Sequence, residues 1–287
     1  MSKIKKSSTK TGWEPENRKH FDEIVEAYER RRLEYPCELF KDVLEYSGIG
    51  TDKKAIEIGA GTGKATMPFL DAGYHVTAVE LGENMTAFLQ DKFMNNMSFS
   101  VVNTAFENAS LPENSYDLIY AATAFHWVNP KIGCPKIFRL LKTGGAVALF
   151  RYHAIAADGE RLYEDIQAVY EKHFYSFYTT NNRPVRKSKE DFMKPSEILH
   201  GFGFEDLKLY GFTDISMKFY DGSRTFSPDE YIELLDTMSD HRGLPEENRA
   251  ALFAGIKEAI LRHGGHHEVK YIFQLYMGRK QHSGHSN

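Results

Sequence analysis

Residues 55–66, AIEIGAGTGKAT, place an acid, Glu57, ahead of three glycines at alternate positions, Gly59, Gly61 and Gly63. Alternating glycines let a backbone turn sharply and let a ligand lie against peptide groups with no Cβ in the way. Spacing separates the nucleotide-binding chemistries that could use such a turn. A phosphate-cradling P-loop needs glycine six residues before its lysine and Ser or Thr after it, but Ile58 stands there relative to Lys64, and Ala65 follows. A dinucleotide fingerprint needs G-x-G-x-x-G/A, and counting from Gly59 or Gly61 ends on Lys64 or Thr66. What remains is acid-x-G-x-G-x-G, in which Glu57 can face a cationic group and no pyrophosphate is required, as suits a ligand with an amino acid moiety. A second carboxylate, Glu80, closes the run VTAVE seventeen residues after Gly63. At a strand's carboxyl end it can accept from both hydroxyls of a ribose.

Positioning these groups takes a sheet. From about residue 53 to 153, apolar strand-like runs at 55–58, 75–81, 99–106, 116–123 and 146–152 alternate with helical patterns at 64–72, 83–94 and 131–141. That alternation predicts βαβ units and a mostly parallel sheet covered on both faces. Two short helices, 20–28 and 36–46, precede it. Downstream, 160–174 carries Leu162, Ile166, Val169, Tyr170 and Phe174 on one helical face, and the aromatic run FYSFY leads into the basic loop TTNNRPVRKSK. A short helix at 196–200, a long strand or hairpin at 205–220, helices at 228–238 and 245–263, and a last strand at 269–277 complete the pattern.

Composition removes several classes. The 287 residues are 41% hydrophobic and 26% charged, ordinary for a globular chain and against wholesale disorder. Thirty-six Lys and Arg against forty Asp and Glu leave a net charge of −4, so there is no global attraction for nucleic acid. No apolar stretch approaches the ~20 residues of a membrane span, and the basic start MSKIKKSSTKTG lacks the apolar part of a secretory signal and reads as a solvated tail. Two cysteines, Cys37 and Cys134, make no disulfide framework and point to a reducing, cytoplasmic setting. The group His263, His266 and His267 lacks a fixed acidic or thiolate partner and is read as a solvated loop, so no metal site is expected.

On the segments IEIGAGTG (56–63), VTAVE (76–80), FEN (106–108), SYDLIYAATAFHWVNP (115–130) and LLKTGGAVAL (140–149), the chain resembles the class I S-adenosylmethionine-dependent methyltransferases. Within them it is similar to the small-molecule branch that includes the trans-aconitate and juvenile hormone acid methyltransferases. YERRRLEYP (28–36) is similar to that branch's Tyr-rich leading segment, with Leu33 where a proline is usual. The resemblance implies a doubly wound, seven-stranded Rossmann-like sheet, its last strand antiparallel, with an α-rich lid. It implies tails at 1–19 and 281–287, a cofactor-binding α/β core at 20–153, a lid insertion at 154–200, and the end of the sheet with further lid helices at 201–280. Gly59, Gly61 and Gly63 would line the methionine and ribose of S-adenosylmethionine, with Glu57 beside the amino end and Glu80 on the ribose. Phe106 and Glu107 would border the adenine, Asn108 remaining an alternative, and Ala122 would lie under the cofactor.

Methyl transfer from a sulfonium needs chiefly an in-line approach in a dry pocket. A base is required only where the acceptor must lose a proton, and an ionised carboxylate needs none. His126 follows the fourth strand, at the sheet edge where ligands bind. It either orients substrate or acts as a base, or else it is a histidine satisfied by backbone. Trp127 is pocket wall or core. Tyr28, Arg32 and Tyr35 could fold over the cofactor, the arginine taking a carboxylate bidentately. The expected reaction is methylation of a small molecule, with a carboxylic acid as first acceptor; RNA or protein acceptors and a non-catalytic cofactor-binding module are the alternatives, and oligomeric state is left open.

Overall fold

The computed structural model describes residues 20–48, 50–157, 159–178 and 206–281. Two compact units share the chain. One takes Leu33–Ile155, Ser188–Gly222 and Tyr271–Asn287; the other takes Met1–Arg32, Ala156–Lys187 and Ser223–Lys270.

The seven-stranded sheet has the order β3-β2-β1-β4-β5-β7-β6. Its parallel part is β1 (Lys54–Ile58), β2 (His75–Glu80), β3 (Phe99–Asn103), β4 (Tyr116–Ala122) and β5 (Leu141–Ala154). Strand β7 (His267–Lys280) runs antiparallel to β5, from Ala146 opposite Arg279 to Ala154 opposite Tyr271, and β6 (Phe212–Phe226) forms the edge. Strand order reverses between β1 and β4, the place where open α/β sheets bind ligands. The central strands are buried on both faces, with Ile56, Leu118, Ile119 and Val147 closed to solvent, as their continuous apolar runs predict.

Helices α2 (Cys37–Ser47), α3 (Met67–Asp71), α4 (Glu83–Lys92) and α5 (Pro130–Leu140) belong to the same unit. Helix α5 starts well: Asn129 caps it by accepting from the Lys131 amide at 3.0 Å, and Pro130 fills the first turn, where its missing N–H costs nothing. Cys37 is exposed at the start of α2 and Cys134 is sealed inside α5.

Several boundaries depart from the expected ones, among them the first helix, expected at 20–28 and found at Val25–Arg31, and the fifth strand, expected at 146–152 and found at Leu141–Ala154. Strand β3 stops at Asn103 because that side chain turns back, donating to the carbonyls of Glu80, Leu81 and Gly82 at 3.1, 3.0 and 3.2 Å; Phe106 then lies in a 3-10 turn, Phe106–Asn108. Helix α3 begins three residues late, since the turns that close the glycine loop occupy the chain up to Thr66. The long strand expected at 205–220 is a short helix, α7 (Asp206–Leu209), and then β6. Gly211, at φ +87°, separates them, a conformation open to glycine and costly for other residues.

The second unit gathers α1 (Val25–Arg31), α6 (Arg161–Tyr170) with a π-turn at Glu171–Tyr175, α8 (Pro228–Asp236), α9 (Ser239–Arg242) and α10 (Glu246–Arg262). Helix α8 carries a capping box between Ser227 and Glu230, which satisfies two orphan amides reciprocally. The core includes Ile166, Leu235, Leu252, Ile256 and Ile260, and the FYSFY run supplies Phe174 and Tyr178 to it. Inside lies a polar chain: Asp240 Oδ1 meets His241 Nδ1 at 2.7 Å and His241 Nε2 meets the Tyr170 hydroxyl at 2.8 Å. The short helix expected at 196–200 and the basic loop lie outside the described residues.

Candidate active site

The glycine loop between β1 and α3 has the shape its sequence requires. Gly59, Gly61 and Gly63 have φ of +65°, +57° and +78°, the left-handed region that side-chain-bearing residues avoid. Space is closed as well: a Cβ on Gly59 would stand 2.7 Å from that of Ala124, and one on Gly63 would stand 2.7 Å from the Phe93 ring. The loop is held from outside by Glu80, whose Oε2 accepts from the Gly61 amide at 2.8 Å while Oε1 accepts from Gly82 at 3.0 Å. Lys92 adds a bond to the Thr62 carbonyl at 2.9 Å. From the end of β2, Glu80 therefore reaches the glycine loop. A carboxylate offers about four acceptor positions, and these two amides use one on each oxygen.

Glu57 is 1% exposed within β1. Its Oε2 accepts from the hydroxyls of Thr66 at 2.5 Å and Tyr120 at 3.0 Å, whereas Oε1 is buried with no hydrogen-bond partner. Burial pushes this carboxyl up to about 7; the two hydroxyls and more distant Lys92 pull it down, and Glu80 adds to the rise. The buried Thr62 Oγ1 in the loop also has no partner. An orphaned buried acceptor is costly unless a donor reaches it. This donor set, with backbone bared by three glycines and a carboxylate at each of two neighbouring strand ends, fits an amino-acid-bearing nucleoside such as S-adenosylmethionine. Glu57 and Glu80 would hold its amino and ribose ends.

On the other side of the switch point, Ala122 ends β4, half-buried and paired with Phe150. The next residue, Thr123, is left-handed at φ +51°, a conformation that β-branched residues adopt only when surroundings enforce it. Its Oγ1 is 2.7 Å from the Tyr35 hydroxyl, and the Tyr35 ring is wedged among Phe40, Phe150, Tyr152 and Phe273. Tyr35 thus reaches the tip of β4. His126 and Trp127 follow in a 3-10 turn, Phe125–Trp127, half-buried with rings 5.2 Å apart. Gly133 of α5 lets this turn sit close, since a Cβ there would stand 2.5 Å from Val128 Cγ1.

Phe106 is a core residue, 4% exposed and packed with Ile119, Phe125 and Ile137. Glu107 is half-buried, its Oε1 accepting from the Asn129 amide at 3.3 Å. Tyr28 and Arg32 belong to the helical unit. There the Arg32 guanidinium donates to the Thr237 carbonyl at 2.5 Å and lies 5.0 Å from the Tyr28 ring and 5.8 Å from that of Phe21. Of the three histidines near residue 265, His263 pairs with Asp165 at 2.9 Å and His267 packs edge-on to Tyr231; no metal-holding group of side chains occurs among the described residues.

Sequence reasoning did not single out Lys136, which is 8% exposed. Its ammonium donates to the carbonyls of Phe106 at 2.7 Å, Glu107 at 3.2 Å and Ala109 at 2.5 Å, and burial lowers its pKa. The signal was there: Lys136 falls three residues after Gly133 and four before Leu140, both on the buried face of α5.

Residues 56–149 match the model of the methyltransferase domain family. An uncharacterized methyltransferase of Mycobacterium bovis is 33% identical over 129 residues, 45% of this chain and 50% of that protein, so the match spans about half the length of such relatives. Among solved structures, a protein assigned as a type II methyltransferase of Anaeromyxobacter dehalogenans superposes with a TM-score of 0.60 at 18% identity, covering 87% of this chain and 98% of that one. Haemonchus contortus phosphoethanolamine N-methyltransferase 2, solved with phosphomonomethylethanolamine and S-adenosylhomocysteine, superposes with a TM-score of 0.53 at 16% identity over 95% of this chain and 60% of that one. No helix among the described residues is long and apolar enough to cross a membrane. Residues 56–149 therefore match a methyltransferase domain, carried on a seven-stranded sheet of the Rossmann-like methyltransferase fold.

Proposed function

We propose that the whole chain transfers a methyl group from S-adenosylmethionine to a small molecule, with a carboxylic acid as the first acceptor class. The observation that carries this reading is the left-handed Gly59-Gly61-Gly63 loop, tied to Glu80 and preceded in β1 by the buried, orphaned Glu57 Oε1. The cofactor supplies an activated methyl on a sulfonium that is its own leaving group. The protein's share is positioning, which can lower a barrier by several kcal/mol. Glu57 and Glu80 hold the two ends of the donor, and the turn of Phe106, Glu107 and Asn108 borders the adenine. His126, the Tyr35–Thr123 pair and Trp127 gather at the tip of β4, where His126 orients the acceptor. A carboxylate acceptor is ionised at neutral pH, so no proton need be removed and no strong base is needed.

The test is a panel of acids, phenols and amines read by S-adenosylhomocysteine release. Acids should turn over, at a rate level from about pH 6 to 8, where they are fully ionised. A steep rise over that range would point to a base and another acceptor. In parallel, Glu80→Ala should weaken cofactor binding by roughly 1–3 kcal/mol in calorimetry, the cost of stranding hydrogen-bonded groups; unchanged affinity would mean that Glu80 is not the ribose partner.

A further inference from the structure

A buried lysine whose ammonium is surrounded by main-chain carbonyls is unusual, because lysines rarely leave water without a carboxylate. Lys136 has three N–H donors, and Phe106 O, Glu107 O and Ala109 O accept from them, with the Phe106 ring 5.1 Å from the ammonium. Carbonyl dipoles that converge in this way repel one another, and a cation among them reverses the sign of that interaction. The same turn is fastened at a second point by Glu107, which takes the Asn129 amide at the head of α5. Helix α5 thus grips the turn from inside the protein, through its capping residue and through its one buried charge. One side chain thus holds three carbonyls within four residues, and a site formed by a short 3-10 turn keeps its shape only as well as its supports do.

We infer that Lys136 is a positioning residue for the nucleobase end of the cofactor site: its ammonium fixes the turn at residues 106–109 and thereby sets cofactor affinity without touching the cofactor. The inference rests on the reading that this turn borders the adenine. In substitutions, methionine removes the charge and keeps the length, whereas arginine keeps the charge and the donors.

The experiment uses the full chain with S-adenosylhomocysteine as probe. Calorimetry gives the Kd for wild type, Lys136→Met and Lys136→Arg, and hydrogen exchange follows the amides of residues 105–109 with and without the probe. In wild type those amides should gain protection when the probe binds. Lys136→Met should speed their exchange in the free protein and raise the Kd about tenfold, and Lys136→Arg should bring the Kd back to within about threefold. A methionine variant with a lowered Tm but a Kd within twofold of wild type would reduce Lys136 to a structural role and overturn the inference. Should that variant fail to fold, Lys136→Gln takes its place beside Lys136→Arg: the inference then requires the glutamine Kd to be the higher, and equal values overturn it. If the wild-type amides gain no protection although the probe binds, the adenine lies elsewhere, and the reading beneath the inference is what fails.

Discussion

Glu57 is a carboxyl group enclosed by protein, with two hydroxyls on one oxygen and nothing on the other. Its folded-state pKa of about 7 stands above the ordinary 4.5, so the folded chain binds this proton more tightly than the unfolded one does. The resulting stabilisation is complete below about pH 4.5 and is lost as pH rises to about 7. Glu57→Gln, which cannot ionise, should match wild type near pH 5 and exceed it near pH 8 by on the order of 2–3 kcal/mol in urea unfolding. A variant less stable than wild type at pH 8 would show that the carboxylate is welcome where it lies. On the proposed function, in which the cofactor's ammonium arrives at Oε1 and favours the charged carboxylate, cofactor binding releases a proton. Near pH 6.5 the calorimetric heat should therefore change with the ionisation enthalpy of the buffer, and in Glu57→Gln that dependence should vanish.

Helices and turns fix what the residues can do. Gly133→Ala adds a methyl 2.5 Å from Val128 Cγ1 and 3.3 Å from the Phe125 ring, so α5 and the turn bearing His126 must part. Overpacking of this kind costs typically 1–3 kcal/mol. The variant should lose stability by that amount in a denaturant titration and, on the proposed function, in which the displaced turn carries the acceptor side, lose methyl transfer more than cofactor binding. At this scale the sequence was readable where periodicity and spacing speak. The strands from 55 to 152 and the left-handed glycine loop follow from local pattern. Less readable were the features decided by partners distant in sequence. Phe106 reads as a residue bordering the adenine, and its ring lies in one core cluster with Ile119 and Ile137. Arg32 reads as a carboxylate clamp, and it holds the carbonyl of Thr237, 205 residues away. Lys136 looks like a surface charge until the carbonyls it serves are folded against it.

Across the molecule, neither unit is a continuous piece of chain; each is assembled from three separate segments. The sheet unit depends on the segment that begins at Tyr271, because β7 pairs with β5 all the way from Ala146 to Ala154. A chain cut after residue 266 would leave that edge of β5 bare, an unpaired hydrogen-bonding row of the kind that drives association. It should lose cooperative unfolding and cofactor binding together and elute as aggregate on gel filtration. In the helical unit, Tyr170→Phe would leave His241 Nε2 without its 2.8 Å partner. The expected loss is about 1–3 kcal/mol in chemical denaturation, with cofactor affinity unchanged. The placement of the two thiols offers an experimental handle. Cys37 faces solvent while Cys134 is sealed within α5, so a maleimide dye should attach to one sulfur in the native protein and to both after denaturation. That selectivity gives a single-site fluorescent reporter at the head of α2, obtained without engineering a new cysteine.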